Sequence, residues 1–325
     1  MKHTKEYAVL AVIIAALGLY LFLRDTDRTT HTLPDLQALK AQDVTRIEIG
    51  KADQTVVLTR SNDQWQVSPG DHPADQAKVE RMLDVLADLD VTALVSETRN
   101  YARYELDDEH RIQVAAYRDG DIARKLGIGK AADTMRHTHV VLSDDPNVYH
   151  ARGNFRNDFD QTVANLRDKT VLAFDSGDVK TFTVESGEIT LSVKKTERAP
   201  LEQREKAPAT AEGEEAAPTQ WQTDDGRVLD DARVDRLLDS LSGLRCRTYL
   251  SDRSSDAFGE PAYRIRIEAD ETAWLDIFAP QEETATEVPA TSSLRADPFT
   301  LADFDVEPIE EFITAAGNDD TPPNP

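Results

Sequence analysis

Residues 43–49 read DVTRIEI, and residues 178–184 read DVKTFTV, so one short pattern occurs twice in the chain. Apolar and polar side chains alternate in both segments, and this two-residue period is typical of a β-strand that buries one face. A second alternating segment follows each of them, TVVLT at 55–59 and ITLSV at 189–193. The chain is therefore predicted to carry two copies of one structural unit.

Each copy continues with the tripeptide QWQ, at residues 64–66 and again at residues 220–222. Its tryptophan stands on a further predicted strand in both copies. An exposed indole ring could stack on a sugar, but the matched positions favour a shared place in the core or on the sheet surface. Trp65 and Trp221 are therefore interpreted as structural residues.

A helix is predicted next in each copy, over residues 79–86 and 234–241. Apolar side chains recur there at positions i, i+3, i+4 and i+7, which places them on one helical face. Asp230 and Asp231 are expected to cap or begin the second helix, and Pro73 suits the first turn of the other.

Further strands and a closing helix complete each copy. Strands are predicted over residues 111–117, 123–128, 263–268 and 273–278, and closing helices over residues 155–166 and 306–313. Residues 244–250 also alternate like a strand. The fold class is predicted to be α+β, with an N-terminal transmembrane helix followed by two duplicated units, each an antiparallel sheet with helices.

These patterns divide the chain into consecutive segments. The predicted bounds are 1–24 for a cytoplasmic tip and transmembrane anchor, 25–33 for a polar spacer, 34–170 for the first repeat, 171–314 for the second repeat and 315–325 for a disordered tail. The second repeat contains residues 196–218, which are rich in Ala, Glu and Pro. A segment so poor in large apolar side chains is predicted to be a disordered insert.

The predicted anchor, residues 7–23, reads YAVLAVIIAALGLYLFL without a single charge. A bilayer crossing needs about 20 apolar residues. Lys2 and Lys5 precede the segment, so the positive-inside rule places the N-terminus in the cytoplasm and exports the rest of the chain. No small-x-small cleavage site follows the segment, which favours a retained anchor over a signal peptide.

The charge balance excludes one class of partner. The chain has 37 basic and 61 acidic residues, a formal net charge of -24. Nucleic-acid binding depends on basic side chains that release counterions, so no nucleic-acid partner is expected. Cys246 is the only cysteine, which rules out an internal disulfide, and it is interpreted as a small core residue rather than a nucleophile.

Several short motifs resemble those of the bacterial DUF4340 family, a domain of unknown function. They are YELD at 104–107, FGEP at 258–261, LGIG at 126–129, LRDK at 166–169 and VLAF at 171–174. The first copy departs from the family pattern at Glu105, where a glycine is usual. The resemblance implies a membrane-anchored periplasmic partner of ABC-type export or gliding-associated membrane systems. It carries over no catalytic residue.

Three histidines are the strongest candidates for a site. His137 and His139 stand two residues apart, so on a strand both face the same side, and His150 is close in sequence. Such spacing can hold a metal ion if a third ligand converges. The alternative is the polar face of an ordinary strand, and it is preferred because the second copy contains no histidine. No metal ligand is therefore assigned.

No other motif indicates catalysis. Residues 127–130, GIGK, lack the spacing of a phosphate loop and are expected to form a β-turn. Carboxylate pairs are common in a chain this acidic, and none has calcium-loop spacing. They occur at Asp107-Asp108-Glu109, Asp144-Asp145, Asp224-Asp225 and Asp230-Asp231. No catalytic or cofactor-binding residue and no cofactor are assigned, so the protein is predicted not to be an enzyme.

The predicted function is that of a membrane-anchored periplasmic structural or interaction protein. Residues 7–23 are expected to hold it in the bacterial inner (plasma) membrane as a single-pass protein with a periplasmic C-terminal region. Its expected partners are subunits of an ABC transporter or another membrane complex. The alternative function is a periplasmic ligand-binding protein with a site between the two repeats.

Overall fold

The computed structural model describes residues 13–14, 32–197, 219–280, 282 and 285–318. The chain divides into two compact units, Met1–Val163 and Ala164–Pro325. Each unit contains one antiparallel sheet, which confirms a mixed fold of two antiparallel sheets with few helices.

The sheet of the first unit has nine strands among the described residues. They are β1 Arg46–Lys51, β2 Gln54–Ser61, β3 Gln64–Ser68, β4 His72–Pro73, β5 Val91–Ser96, β6 Ile112–Arg118, β7 Asp121–Ala131, β8 His137–Leu142 and β9 Asp145–Arg152. Their order across the sheet is β4-β3-β2-β1-β6-β7-β8-β9-β5. The very short β4 and the strand β5 therefore form its two edges.

The sheet of the second unit has seven strands among the described residues. They are β10 Thr181–Ser186, β11 Ile189–Glu197, β12 Thr219–Thr223, β13 Pro261–Glu268, β14 Thr272–Phe278, β15 Glu287–Ser292 and β16 Phe299–Ala302. Their order is β12-β11-β10-β13-β14-β15-β16. The first sheet contains the same succession as β3-β2-β1-β6-β7-β8-β9, so the two strand orders agree with an internal repeat.

The helices flank these strands in the chain. They are α1 Gln76–Ala87, α2 Arg156–Phe159, α3 Val163–Leu166, α4 Asp231–Leu241 and α5 Asp303–Asn318. Both predicted amphipathic helices are confirmed by α1 and α4, each of which buries one apolar face. The buried side chains are Val79, Met82, Leu83 and Leu86 in α1, and Val234, Leu237, Leu238 and Leu241 in α4.

The tryptophans of the two QWQ tripeptides lie in the cores of their units. Trp65 and Trp221 are both buried. In the second unit the ring of Phe182 packs against Trp221, with 5.7 Å between centroids, and against Phe312 at 5.6 Å. Cys246 is buried in the same core, as expected for a small apolar residue, and burial raises the pKa of its thiol.

Helix starts differ partly from the prediction. Asp230 is the N-cap of α4 and accepts a hydrogen bond from the backbone N–H of Ala232, as expected. Pro73 was expected in the first turn of α1, but it belongs to β4 and pairs with Gln66. Asp75 caps α1 instead, because its carboxylate accepts from the backbone of the third helical residue.

Four segments also depart from their predicted form. The first closing helix is two short helices, α2 and α3, separated by a break. Residues 244–250 form no strand and make only isolated bridges, from Arg245 to Thr170 and from Tyr249 to Phe299. The predicted insert begins too early, because Thr196 and Glu197 pair with β12. The predicted tail also begins too early, because α5 continues to Asn318.

The rest of the predicted insert and tail, and most of the predicted spacer and anchor, lie outside the described residues. They are residues 198–218 of the insert, 319–325 of the tail, 25–31 of the spacer, and 7–23 of the anchor apart from Ile13 and Ile14. Across the part of the chain that the structure describes, no helix is both long and apolar enough to cross a bilayer.

Candidate functional site

The three histidines converge in the first unit. His137 and His139 lie on β8, and His150 lies directly opposite His139 on β9. The ring centroid of His150 is 4.8 Å from that of His139 and 5.4 Å from that of His137. Both β8 rings therefore face the same side of the sheet, where they meet a third ring from the neighbouring strand.

Hydrogen bonds fix the orientation of the buried ring. His139 Nδ1 lies 2.9 Å from the backbone carbonyl oxygen of Lys130, which can only accept, so Nδ1 carries the proton. His139 Nε2 is then the acceptor in the 3.2 Å contact with Nε2 of His150. The ring of Tyr104 also packs against His139, with 4.9 Å between ring centroids.

Burial and the neighbouring rings disfavour a positive charge on His150. The pKa of His150 is lowered, first because burial disfavours the charged imidazolium and then because charges on His139 and His137 would repel it. Protonation of His150 is therefore unfavourable, so its imidazole keeps an unshared nitrogen lone pair over a wider pH range.

The histidines line an open groove that also gathers cations. Its volume is about 930 Å³, and Arg103, Lys130 and Arg136 stand on its walls with Asp133 as the acidic residue. Within the described ranges, none of these three basic side chains forms an ion pair. In a chain with a net charge of -24, unpaired cations at one place produce a local electropositive surface.

The second unit shows what this fold looks like without the histidines. The pair Val140 and Tyr149 of β8 and β9 corresponds to the pair Ala290 and Phe299 of β15 and β16. By this register, the places of His137, His139 and His150 are taken by Glu287, Pro289 and Thr300. The hydroxyl of Thr300 donates to the Glu287 carboxylate at 2.5 Å. The strand pairing therefore does not require imidazoles.

Two of the acidic clusters form local hydrogen bonds through Asp107 and Asp145. Asp107 Oδ1 accepts hydrogen bonds from the backbone N–H groups of Glu109 and His110, and lies 2.7 Å from His110 Nδ1. Three groups lie close enough together to hold an ion: the carboxylates of Asp107 and Glu109 and the ring of His110. All three are exposed or half-buried. Asp145 likewise accepts from the backbone of Asn147 and from the hydroxyl of Tyr149. These contacts close turns.

Residues 127–130 form part of β7, so the expected β-turn is wrong. A side chain at Gly129 would place Cβ 2.2 Å from the carbonyl oxygen of Tyr104, so glycine is needed for close backbone approach. The departure at Glu105 is accommodated in a left-handed conformation, with φ of 54°.

The sequence pattern identified the three histidines but missed the groove around them. The motif YELD at 104–107 predicts only a turn at Tyr104, and no sequence pattern indicates Arg103, Lys130 or Arg136. These residues come from three separate segments, the 3₁₀ turn Tyr101–Tyr104, β7 and the loop before β8. The one signal of this groove in the sequence is that Lys130 and Arg136 are close to His137 along the chain.

The DUF4340 family model, described as a domain of unknown function, matches residues 65–263. This match covers more than half of the chain and confirms the predicted family resemblance. Searches of curated proteins and of solved structures found no match. The chain therefore belongs to the DUF4340 family.

Proposed function

We propose that this protein is a membrane-anchored interaction module of the bacterial envelope, whose first unit docks an acidic, extended segment of a partner membrane protein. The observation that carries the proposal is an uncharged sheet edge beside a cationic groove. The partner is expected to belong to an ABC-type transporter or another envelope complex. The protein itself performs no catalysis in this proposal.

The open edge is β5, which reads VTALVS and contains no charge. It pairs with β9 on one side, and no strand of the described residues pairs with its other side. Native sheets usually protect such edges with charges, proline or very short strands. The opposite edge of this sheet follows that rule, because β4 has two residues and one is Pro73. An unprotected edge is suited to receive a partner strand.

The edge and the groove are adjacent. Ala93 of β5 pairs with His150, and Val95 of β5 lines the groove. The β5–β9 register is irregular near Val91 and again near Ser96, and such bulges bend a strand, so a short partner segment is expected. Its side chains would lie close to the unpaired cations. Charge complementarity therefore favours Asp or Glu in the partner.

The membrane part of the proposal rests on the sequence. Residues 7–23 would hold the protein in the inner membrane, and the following spacer would keep both units close to other membrane proteins. Tethering raises the effective concentration of a partner in the same membrane, so a weak docking surface suffices.

Charge reversal tests the docking surface. Full-length protein carrying Arg103→Glu and Arg136→Glu should recover its partner from detergent-solubilised membranes at about one tenth of the wild-type yield, which corresponds to about 1.4 kcal/mol. Both side chains are exposed, so the fold is expected to persist. Arg118→Glu is the matched control, because Arg118 is exposed at the end of β6, away from the groove lining.

A photo-crosslinker at Ser96 supplies the second readout, since it marks the end of β5. The proposal requires that the captured peptide be acidic and come from a membrane protein. Equal recovery by the wild type and the Arg103/Arg136 variant, or crosslinks to a basic segment, would contradict it.

A small anionic ligand is the second candidate, because the groove has the volume of a small-molecule site and cationic walls. In that case mass spectrometry of the purified protein should find a bound anion that is lost in the Arg103/Arg136 variant, with no protein partner recovered. This places the ligand within the first unit instead of between the repeats.

A further inference from the structure

We propose that His139 and His150, completed by His137, form a binding site for a divalent transition metal such as Zn²⁺. This inference goes beyond the proposed docking function, because the chain would bind the metal by itself, with no partner present. It rests on the positions of imidazole nitrogens, on the hydrogen bond behind one of them and on the open space in front of them.

The first observation is the distance between the two opposed imidazoles. Their Nε2 atoms are 3.2 Å apart. Two nitrogens bound to one tetrahedral Zn²⁺ at about 2.0–2.1 Å are about 3.3 Å apart. The two nitrogens therefore already have the spacing of a ligand pair. A metal ion bonded to both would lie off the line that joins them, so both rings must turn their lone pairs toward it. The proton on His150 Nε2 would then leave to its Nδ1 or to solvent, and the metal would replace the hydrogen bond between the rings.

The second observation is the support behind His139. Its Nδ1–H donates to the carbonyl oxygen of Lys130 at 2.9 Å, which leaves Nε2 free of its own proton. Metal-binding histidines almost always donate their other ring N–H in this way, which fixes the tautomer and the ring orientation. The ring is also held by its buried position and by contact with Tyr104.

The third ligand comes from the same strand. His137 lies two residues before His139 and stacks on His150 at an interplanar angle of 24°. Its nitrogens do not yet converge on the pair, so a side-chain rotation is required. His137 is half-buried at the groove wall, which gives it space to turn. Three imidazoles leave the fourth tetrahedral position open toward the groove for water or a carboxylate.

Two features limit the affinity. Lys130 and Arg136 line the same groove, and their positive charges repel a dication. The acidic group Asp107, Glu109 and His110 is a competing place for an added ion. A useful experiment must therefore separate the histidine groove from this second cluster by mutation.

Zinc titration of the full-length protein in detergent tests the inference. Wild type should bind Zn²⁺ at a stoichiometry of about one per chain at the groove, and His150→Thr should weaken this binding at least tenfold, roughly the effect of losing a ligand-supporting group. Threonine is the residue that the second unit carries at the corresponding position, so the substitution suits the fold. His139→Gln and His137→Gln should also weaken binding. His110→Gln is the matched control and should leave the groove site intact.

Copper bound in place of zinc provides a direct view of the ligands. Electron paramagnetic resonance of the Cu²⁺ form should show coordination by at least two imidazole nitrogens in wild type and in His110→Gln, and a loss of nitrogen ligands in His150→Thr. Circular dichroism of each variant verifies folding. The inference is overturned if His150→Thr binds Zn²⁺ as wild type does, if His110→Gln alone abolishes binding, or if wild type binds none at micromolar Zn²⁺.

These outcomes are independent of partner docking. Reversal of the charges at Arg103 and Arg136 leaves all three imidazoles in place, so it should lower partner recovery about tenfold while zinc binding is kept or strengthened. Wild type that binds zinc at the groove but recovers no acidic partner contradicts only the docking proposal, and wild type that docks its partner but binds no zinc contradicts only this inference.

Discussion

Gly129 shows how one missing side chain shapes the groove. An added Cβ would lie 2.2 Å from the Tyr104 carbonyl oxygen and 2.8 Å from Cγ of Leu106, and neither atom belongs to a flexible chain end in open space. Tyr104 in turn contacts the ring of His139. The backbone of the Tyr101–Tyr104 turn can therefore approach β7 only because position 129 is glycine.

We expect Gly129→Ala to lower the free energy of unfolding by about 1–3 kcal/mol, the usual cost of overpacking. Urea denaturation provides the measurement. Gly50→Ala is the control, because its Cβ would have its nearest neighbours at 4.0 Å and should cause little change. Equal stability of the two variants would contradict the close approach at Gly129.

The pair Asp107 and His110 should make stability depend on pH. The hydrogen bond between them is the main cause that raises the pKa of His110 and lowers that of Asp107. The contribution of His110 is complete below its ordinary value of 6.5 and is lost as pH rises through its folded pKa. That of Asp107 is complete above 3.8 and is lost as pH falls through its folded pKa.

The pair of Asp107 and His110 therefore stabilises the folded state most between pH 3.8 and 6.5. Thermal unfolding of His110→Gln and wild type should differ more at pH 5 than at pH 8. A difference of the same size at both values would show that the pair contributes nothing through its charge.

At the scale of elements, the two repeats begin their helices alike. Asp75 accepts from the backbone N–H of Lys78 at 3.2 Å, and Asp230 accepts from that of Ala232 at the same distance. Each bond satisfies one of the N–H groups that have no partner within the first helical turn.

Alanine at either N-cap should lower stability by about 0.5–2 kcal/mol, because that backbone donor loses its acceptor. Chemical denaturation of Asp75→Ala and Asp230→Ala measures the loss. Asp235→Ala, at an exposed position inside α4, serves as control and should be neutral or slightly stabilising. If Asp235→Ala lowered stability as much as the two cap variants do, the loss would come from the removed charge and not from the removed cap.

Residues 198–218 should be dispensable for the second sheet. Glu197 and Thr219 on either side of them are already paired. In the first unit the corresponding hairpin is closed by Asn62 and Asp63, both with positive φ, as the tightest hairpin turns require. Replacing 198–218 with Asn-Asp should keep or slightly raise the unfolding temperature, because a shorter loop costs less closure entropy. Collapse of the second unit in this variant, measured by calorimetry, would contradict the pairing.

At the scale of the whole molecule, we expect residues 7–23 to determine whether the protein is found in the membrane. Deletion of residues 1–31 should move the protein from the carbonate-washed membrane fraction to the soluble fraction, because the uncharged segment 7–23 is then absent. Substitution of the exposed residue Met135 by Gln is a control that should leave fractionation unchanged. Recovery of the wild type in the soluble fraction would contradict the anchor.

Periodic features of the sequence were predicted well. The amphipathic helices, the alternating strands and the repeat depend on residues a few positions apart, so local pattern is enough to detect them. The failures involve partners distant in sequence. The sequence predicts Pro73 in a helix because its pairing with Gln66 leaves no local pattern, and residues 244–250 alternate like a strand although they form only isolated bridges.

The same reason explains a buried cation away from the groove that no sequence pattern indicates. Arg124 is buried, and its guanidinium donates to backbone carbonyl oxygens of Leu86, Ala87 and Gln37, which joins the end of α1 to a distant segment. Burial lowers its pKa. Nothing in the local sequence distinguishes this arginine from those on the surface, such as Arg118.

The amino-acid order by itself determined the two-copy plan, the matched strand positions of Trp65 and Trp221 and the resemblance to the DUF4340 family, because each depends on local periodicity or short motifs. Only the tertiary structure decided that His150 faces His139 across two strands, that three basic side chains surround them and that β5 is left at an open edge. Strand register and sheet order set those distances, and both are fixed by packing between segments far apart in the chain.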